Sequence, residues 1–193
     1  MAGTSSYVED VPRPALAAVA SSVWVQRVGE QSVAHRHMPH GGAEVCCVLG
    51  GAPRLLGPLT ASTYQEIPAG ATVVGVRLRP GVIGGLAGVP ADELVDQEVE
   101  ATDLWRDTAR LTDLLGSATT PRAALDRLQS FVARSGGEPD RLVNEAVHNL
   151  MPWRGNGPAA LPALLSISGR QLRRRCRAAV GVGPKELHRI LRF

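Results

Sequence analysis

Aromatic residues are scarce, 4% of 193 positions, so a core must be filled by Val, Leu and Ala rather than by stacked rings. Only three cysteines occur, with Cys46 and Cys47 adjacent and Cys176 alone. That pattern offers neither a disulfide framework nor metal-ligand spacing, and it agrees with a reducing compartment. No run of eighteen apolar residues is present, and no charged start leads into an apolar core. A membrane span and a signal peptide are thereby excluded, and a soluble cytoplasmic protein without membrane partners is expected. The chain also lacks a Gly-x-Ser-x-Gly turn, a phosphate loop, a Rossmann glycine pattern and a paired-carboxylate arrangement. These absences predict no enzymatic activity and no cofactor.

Charge is present but unevenly spread. Residues 169–193 carry Arg170, Arg173, Arg174, Arg175, Arg177, Lys185, Arg189 and Arg192 against Glu186 alone, although the whole chain sums to only +3. A basic terminus on a mildly acidic body points to a polyanion such as double-stranded DNA, although a basic helix face can also be merely solvated. Spacing favours the polyanion. Ser168 is an N-cap residue type, and Gly169 to Val180 reads as an amphipathic helix. Leu172, Cys176 and Ala179 recur at four and three on a core-facing stripe, while Arg170, Arg173, Arg174 and Arg177 fall on another. Like charges so close destabilise a helix unless an external anion neutralises them. Upstream, Ala159 to Leu165 is a short apolar helix separated from the basic one by a tight turn, which makes a helix-turn-helix.

Leu161, the string Ser166-Ile167-Ser168-Gly169-Arg170-Gln171-Leu172-x-Arg174-x-Cys176, and Val180-Gly181-Val182-Gly183-Pro184-Lys185 resemble the first helix-turn-helix of AraC/XylS-type transcriptional regulators. The resemblance covers about residues 140 to 193. It implies that Arg170, Arg173 and Arg174 reach DNA and that Arg177 is placed for phosphate. Cys176 stands where the family has a large Phe, costing about 1–2 kcal/mol of apolar burial if the space stays empty. Ser166 replaces a turn glycine and carries a conformational cost if its φ is positive. Pro162 is compatible with a helix only in the first turn. The family has two such units joined by a linker helix, whereas this sequence holds one and the start of the linker, so a fragment or natural short form is expected. The apolar stripe Leu187, Ile190 and Leu191 is then expected to self-associate or fray.

The preceding sequence divides into three parts. Residues 1–18 read as a flexible tail, 19–135 as a sensory or dimerisation-like domain, and 139–193 as the helix-turn-helix unit. Val23–Val28, Val33–Met38, Ala43–Leu49, Arg54–Leu56, Tyr64–Ile67 and Thr72–Leu78 are β-prone runs divided by Gly and Pro turns. Helices are expected at Val82–Ala87, Ala91–Val95, Arg106–Leu115, Pro121–Arg134 and Pro139–Leu150, the last two opened by proline. The fold class is therefore α+β: an antiparallel β-sheet or small open barrel with flanking helices, then a helical unit. Trp24, His37-Met38-Pro39-x-Gly41, Gly57-Pro58-x-Thr60, Gly75 to Gly81 and Leu94-Val95-Asp96 resemble an N-terminal domain of unassigned function found in many AraC-type regulators. That resemblance implies sensing or dimerisation, with a small-molecule effector or a second copy of the chain as candidate partners.

Several polar groups compete for a chemical role. His35 and His37 share a strand face, and His40 or Glu44 would supply a third metal ligand, yet ordinary hydrogen bonding is the stronger expectation and no metal is expected. Alternation sends one of Cys46 and Cys47 inward and the other outward, where a thiol could serve as nucleophile or redox sensor; an incidental thiol is favoured. Arg77 and Arg79 face either an anionic effector or, preferably, the acidic run Asp92 to Asp103. Trp105 and Trp153 read as packing residues. The leading function is a DNA-binding regulator contacting DNA through Arg170, Arg173, Arg174 and Arg177. The alternatives are a regulator-like interaction protein that does not bind DNA, acting as dimer partner or antagonist, and last a metal- or ligand-dependent sensor or enzyme.

Overall fold

A computed structural model describes residues 4–136 and 139–192. The first three residues of the expected tail, Gly137 of the expected turn, and Phe193 lie outside the described residues. The chain forms the expected α+β fold. Strands β1 (Ser6–Asp10), β2 (Ala20–Arg27), β3 (Val33–His37), β4 (Glu44–Val48), β5 (Arg54–Leu56), β6 (Thr63–Ile67), β7 (Thr72–Leu78) and β8 (Glu98–Glu100) are interleaved with helices α1 (Ile83–Ala87), α2 (Ala101–Leu104), α3 (Thr108–Gly116) and α4 (Pro121–Arg134). Four further helices follow: α5 (Arg141–Leu150), α6 (Leu161–Leu164), α7 (Gly169–Val180) and α8 (Pro184–Leu191).

Six strands pair in the order β1-β2-β7-β4-β5-β8, all antiparallel, while β3 and β6 pair separately. The main sheet is open, its edges formed by β1 and β8. Each strand of this sheet has two faces, and both are covered at its centre. On one face Val45, Cys47, Val74, Val76 and Leu78 join Leu16, Ile83, Leu111, Leu125 and Leu128 in the larger core. The opposite face buries Trp24, Val28, Cys46 and Val73 beneath Ile67 of the β3–β6 pair. This explains why Cys46 and Cys47 are both buried: alternation does send them to opposite faces, but neither face is solvent.

Three expectations are corrected. Of the expected tail, the described residues 4–18 are not loose, because Ser6–Asp10 pairs with β2 from Ser6↔Arg27 to Asp10↔Val23, and Leu16 is buried in the core after a 3-10 turn at Pro14–Leu16. The fully exposed side of β1 removed the apolar alternation that would have marked it. Ala91–Val95 reduces to one 3-10 turn at Ala91–Glu93. Pro139 does not open α5; Asp140 caps it, accepting from the amides of Leu142 and Val143. Pro121 does open α4, behind a Thr120 cap that accepts from Ala123 N–H.

Tight packing sets the sheet's register at Gly75. A Cβ there would lie 2.2 Å from Cε2 of the Trp24 indole, which lies over this glycine from the neighbouring strand. Gly75→Ala is expected to destabilise the fold by roughly 1–3 kcal/mol through overpacking, read as a lower urea midpoint at unchanged m-value.

Candidate nucleic-acid interface and a buried ionic network

α7 begins where its sequence says it should. The Ser168 hydroxyl accepts from Gln171 N–H at 3.2 Å, and the Gln171 side chain returns to Ser168 N–H at 3.1 Å, closing a capping box. Upstream, Ser166 turns the chain at φ 52°, the left-handed position expected of the absent glycine. Pro162 sits in the first turn of α6, where its missing N–H costs nothing. Leu172, Cys176, Ala179 and Val180 of α7 are buried with Leu161 of α6 and with Val143, Ala146 and Leu150 of α5. Cys176 is fully buried there, a small side chain at the centre of the packed stripe.

Arg170, Arg173, Arg174 and Arg177 are exposed, and helical geometry places them within an arc of roughly 100°. Among the described residues no ion pair engages any of these four, whereas Arg175 on another side of the helix faces Asp140 at 3.4 Å. No acid occupies the first turn of α7. Arg170 therefore adds positive charge to a helix end whose dipole is already positive. The arrangement is an unneutralised cationic ridge on a capped, well-packed helix.

The helical unit rests on the sheet-bearing half. A Cβ on Gly84 of α1 would lie 2.4 Å from the carbonyl oxygen of Ala178 in α7, and one on Gly181 would lie 2.6 Å from Cγ2 of Val95. α8 packs too: Leu187 and Ile190 are buried, and the Leu187 and Leu191 methyls lie over Gly41. The expected sticky stripe is thus covered by the chain itself, because the turn at Gly41 supplies the partner that the sequence did not reveal. Trp153, expected to pack, is 75% exposed, whereas Trp105 donates to Leu86 O at 2.8 Å and meets Phe131 edge-on.

The histidines gather around a carboxylate. Among the described residues no group of three His, Cys, Asp or Glu is arranged to hold a metal. Instead Glu44, almost fully buried, takes Arg77 Nε at 2.6 Å and stands 3.3 Å from His37 Nδ1 and 3.7 Å from His40 Nε2. Arg77 also donates to Glu9 at 2.9 Å, and Tyr7 donates to Glu9 at 2.8 Å. His37 Nε2 lies 3.2 Å from Gln65 Oε1, and His35 stacks on Trp24 with ring centroids 5.6 Å apart. Arg77 and Arg79 do not seek the acids at 92–103; the cross-strand register sets Arg77 opposite Glu44, and Arg79 donates to Ala17 O. Pairing across a sheet outweighs proximity in sequence.

Burial raises the Glu44 carboxyl, but the His37 hydrogen bond and the Arg77 and His40 charges outweigh it and hold the group at about 2. Burial drives His40 down to about 4 despite the attraction of Glu44. Burial also lowers His37, yet its hydrogen bond to Glu44 and that carboxylate's charge leave it raised. Burial pushes all three thiols up, Cys47 and Cys176 to about 11, so none is a thiolate at neutral pH and none can act as a ready nucleophile.

The signs of these shifts divide the pH axis. His37, raised, contributes stability that is full below 6.5 and lost as pH rises through its folded value. His40 and Glu44, lowered, contribute stability that is lost as pH falls, between 6.5 and about 4 for His40 and between 4.5 and about 2 for Glu44. His40→Gln is expected to flatten the acid limb between pH 6.5 and 4 by about 2–3 kcal/mol. Glu44→Gln, leaving a buried guanidinium and imidazole short of their anion, is expected to cost about 3–5 kcal/mol at pH 7. Urea unfolding across pH 3–8 checks both.

The chain has no match among curated proteins and none among solved structures. Residues 9–100, which run from β1 to the end of β8 and so include nearly the whole main sheet, match a domain of unknown function (DUF6597).

Proposed function

We propose that the protein is a DNA-binding transcriptional regulator of AraC type, its sheet-bearing half sensing or dimerising and its helix-turn-helix contacting double-stranded DNA. The observation that carries this reading is the ridge of Arg170, Arg173, Arg174 and Arg177, exposed and unpaired among the described residues on a helix whose opposite side is fully packed. An isolated protein gains nothing from four guanidinium groups gathered on one face of a helix, with Arg170 at its positive end; phosphates would neutralise them. The domain matched at residues 9–100 coincides with the part of the chain that resembles the N-terminal domain of such regulators.

The burial of Leu187 and Ile190 also weighs against the reading of an antagonist that works by offering an exposed apolar stripe to a partner. In the DNA reading, the contribution of this ridge to affinity is dominated by counterion release. Arg177 is assigned to phosphate and Arg174 to a base edge in the major groove.

Binding of the full chain to a duplex library is expected to weaken steeply with salt. Arg177→Ala should lower affinity uniformly across sequences and reduce the salt slope by about one. Arg174→Ala should cost about 1–3 kcal/mol and relax preference at one base position. Fluorescence anisotropy against salt concentration reads both; affinity indifferent to salt and to both substitutions overturns the assignment.

A further inference from the structure

A cavity of about 620 Å³ opens where residues 104–107, α3 and the C-terminal end of α4 meet, outside the matched domain at residues 9–100. Its size falls within the roughly 300–1,000 Å³ of small-molecule sites. Leu111 and Phe131, both buried, and the half-buried Leu104, Trp105 and Leu114 give it an apolar floor. Trp105 meets Phe131 edge-on with ring centroids 5.5 Å apart, and its indole N–H, the only donor of the ring, is engaged by Leu86 O. The Ser135 hydroxyl donates to Phe131 O at 3.0 Å. The neutral donors of the lining side chains are thus already partnered within the protein.

Its cations are not. Arg106, Arg110 and Arg134 line the cavity with exposed side chains, and Asp107 is the one carboxylate beside them, which leaves the lining with a formal charge of +2. Among the described residues no ion pair engages any of the three arginines, although Asp103, Asp107 and Asp113 each lie three residues from Arg106 or Arg110. Other arginines of α4 behave differently: Arg122 faces Asp126 at 3.6 Å and Asp10 at 3.4 Å, and Arg127 donates to Leu114 O and Ser117 Oγ.

An apolar floor beside unneutralised guanidinium groups discriminates among ligands. An organic cation meets like charge, and a hydrophilic anion leaves the floor wet. A neutral apolar molecule makes no use of the arginines. A carboxylate on an apolar body uses both features, since the planar guanidinium fork matches its two oxygens and its body takes apolar surface out of water. A DNA duplex, convex and polar along its backbone, cannot reach a concave apolar floor.

We propose that this cavity binds a small monocarboxylate with an apolar body, of medium-chain fatty-acid size, its carboxylate held by Arg106 and Arg110 and its body laid against Trp105 and Phe131. This binding does not depend on the DNA-binding reading.

The test titrates the full chain by calorimetry with octanoate, and with octylamine, acetate and inorganic phosphate as probes lacking the charge or the body. Saturable binding of octanoate alone is expected. Arg110→Gln, at an exposed position, should weaken it about tenfold. Asp107→Asn should tighten it about two- to fivefold by removing the like charge; the Asp107 side chain makes no capping hydrogen bond to α3, so the helix start is left intact. The indole N–H resonance of Trp105, identified by its loss in Trp105→Phe, should shift with octanoate while those of Trp24 and Trp153 stay in place. No saturable octanoate binding, equal binding of octylamine, acetate or phosphate, or indifference to both charge substitutions overturns the site. Binding that leaves the Trp105 resonance unmoved overturns its location, and displacement of octanoate by duplex DNA overturns it in favour of a nucleic-acid contact.

Discussion

Two glycines decide how the helical unit meets the rest of the molecule. Gly84 lets α1 approach the Ala178 carbonyl of α7 to a distance that any side chain would forbid, and Gly181 does the same against Val95 and Ala91. Because packed interfaces do not deform gradually, this contact fixes which side of α7 is covered. Ala179 and the Ala178 carbonyl are turned toward the body, and the arginine ridge is left on another side of the helix. The orientation of the cationic surface is thus a consequence of backbone contact rather than of the arginines themselves.

The sheet contributes a second constraint of a different kind. A carboxylate buried as deeply as Glu44 is unstable alone, and its partners come from two strands and a turn: Arg77 from β7, His37 from β3, His40 from the turn ahead of β4. That gathering ties the β3–β6 pair to the main sheet with polar contacts, beside the apolar contact of Ile67. The same turn carries Gly41, on which Leu187 and Leu191 rest, so the ion network and the seat of α8 share a few residues. A perturbation of the network therefore has a short path to the helical unit.

Much of this was legible in the residues. Six strands emerged from β-prone runs bounded by Gly and Pro, and α4 and α7 were bounded by the caps their sequences carry, because local turn chemistry and capping act within a few residues. β1, β8 and the short helix α2 were not legible, since exposed edge strands lack alternation and owe their existence to a partner distant in sequence.

The candidate site divides along the same line. The sequence by itself determined the arginine stripe, its capped helix and the buried stripe of Leu172, Cys176 and Ala179, because a 3.6-residue period places side chains without any knowledge of the fold. Only tertiary structure decided that Arg77 pairs with Glu44 rather than with the acids at 92–103, that both Cys46 and Cys47 are buried, and that the stripe on α8 finds cover at Gly41. Each depends on strand register or on a second layer over the sheet, and those are set by contacts between residues far apart in the chain, which no local periodicity encodes.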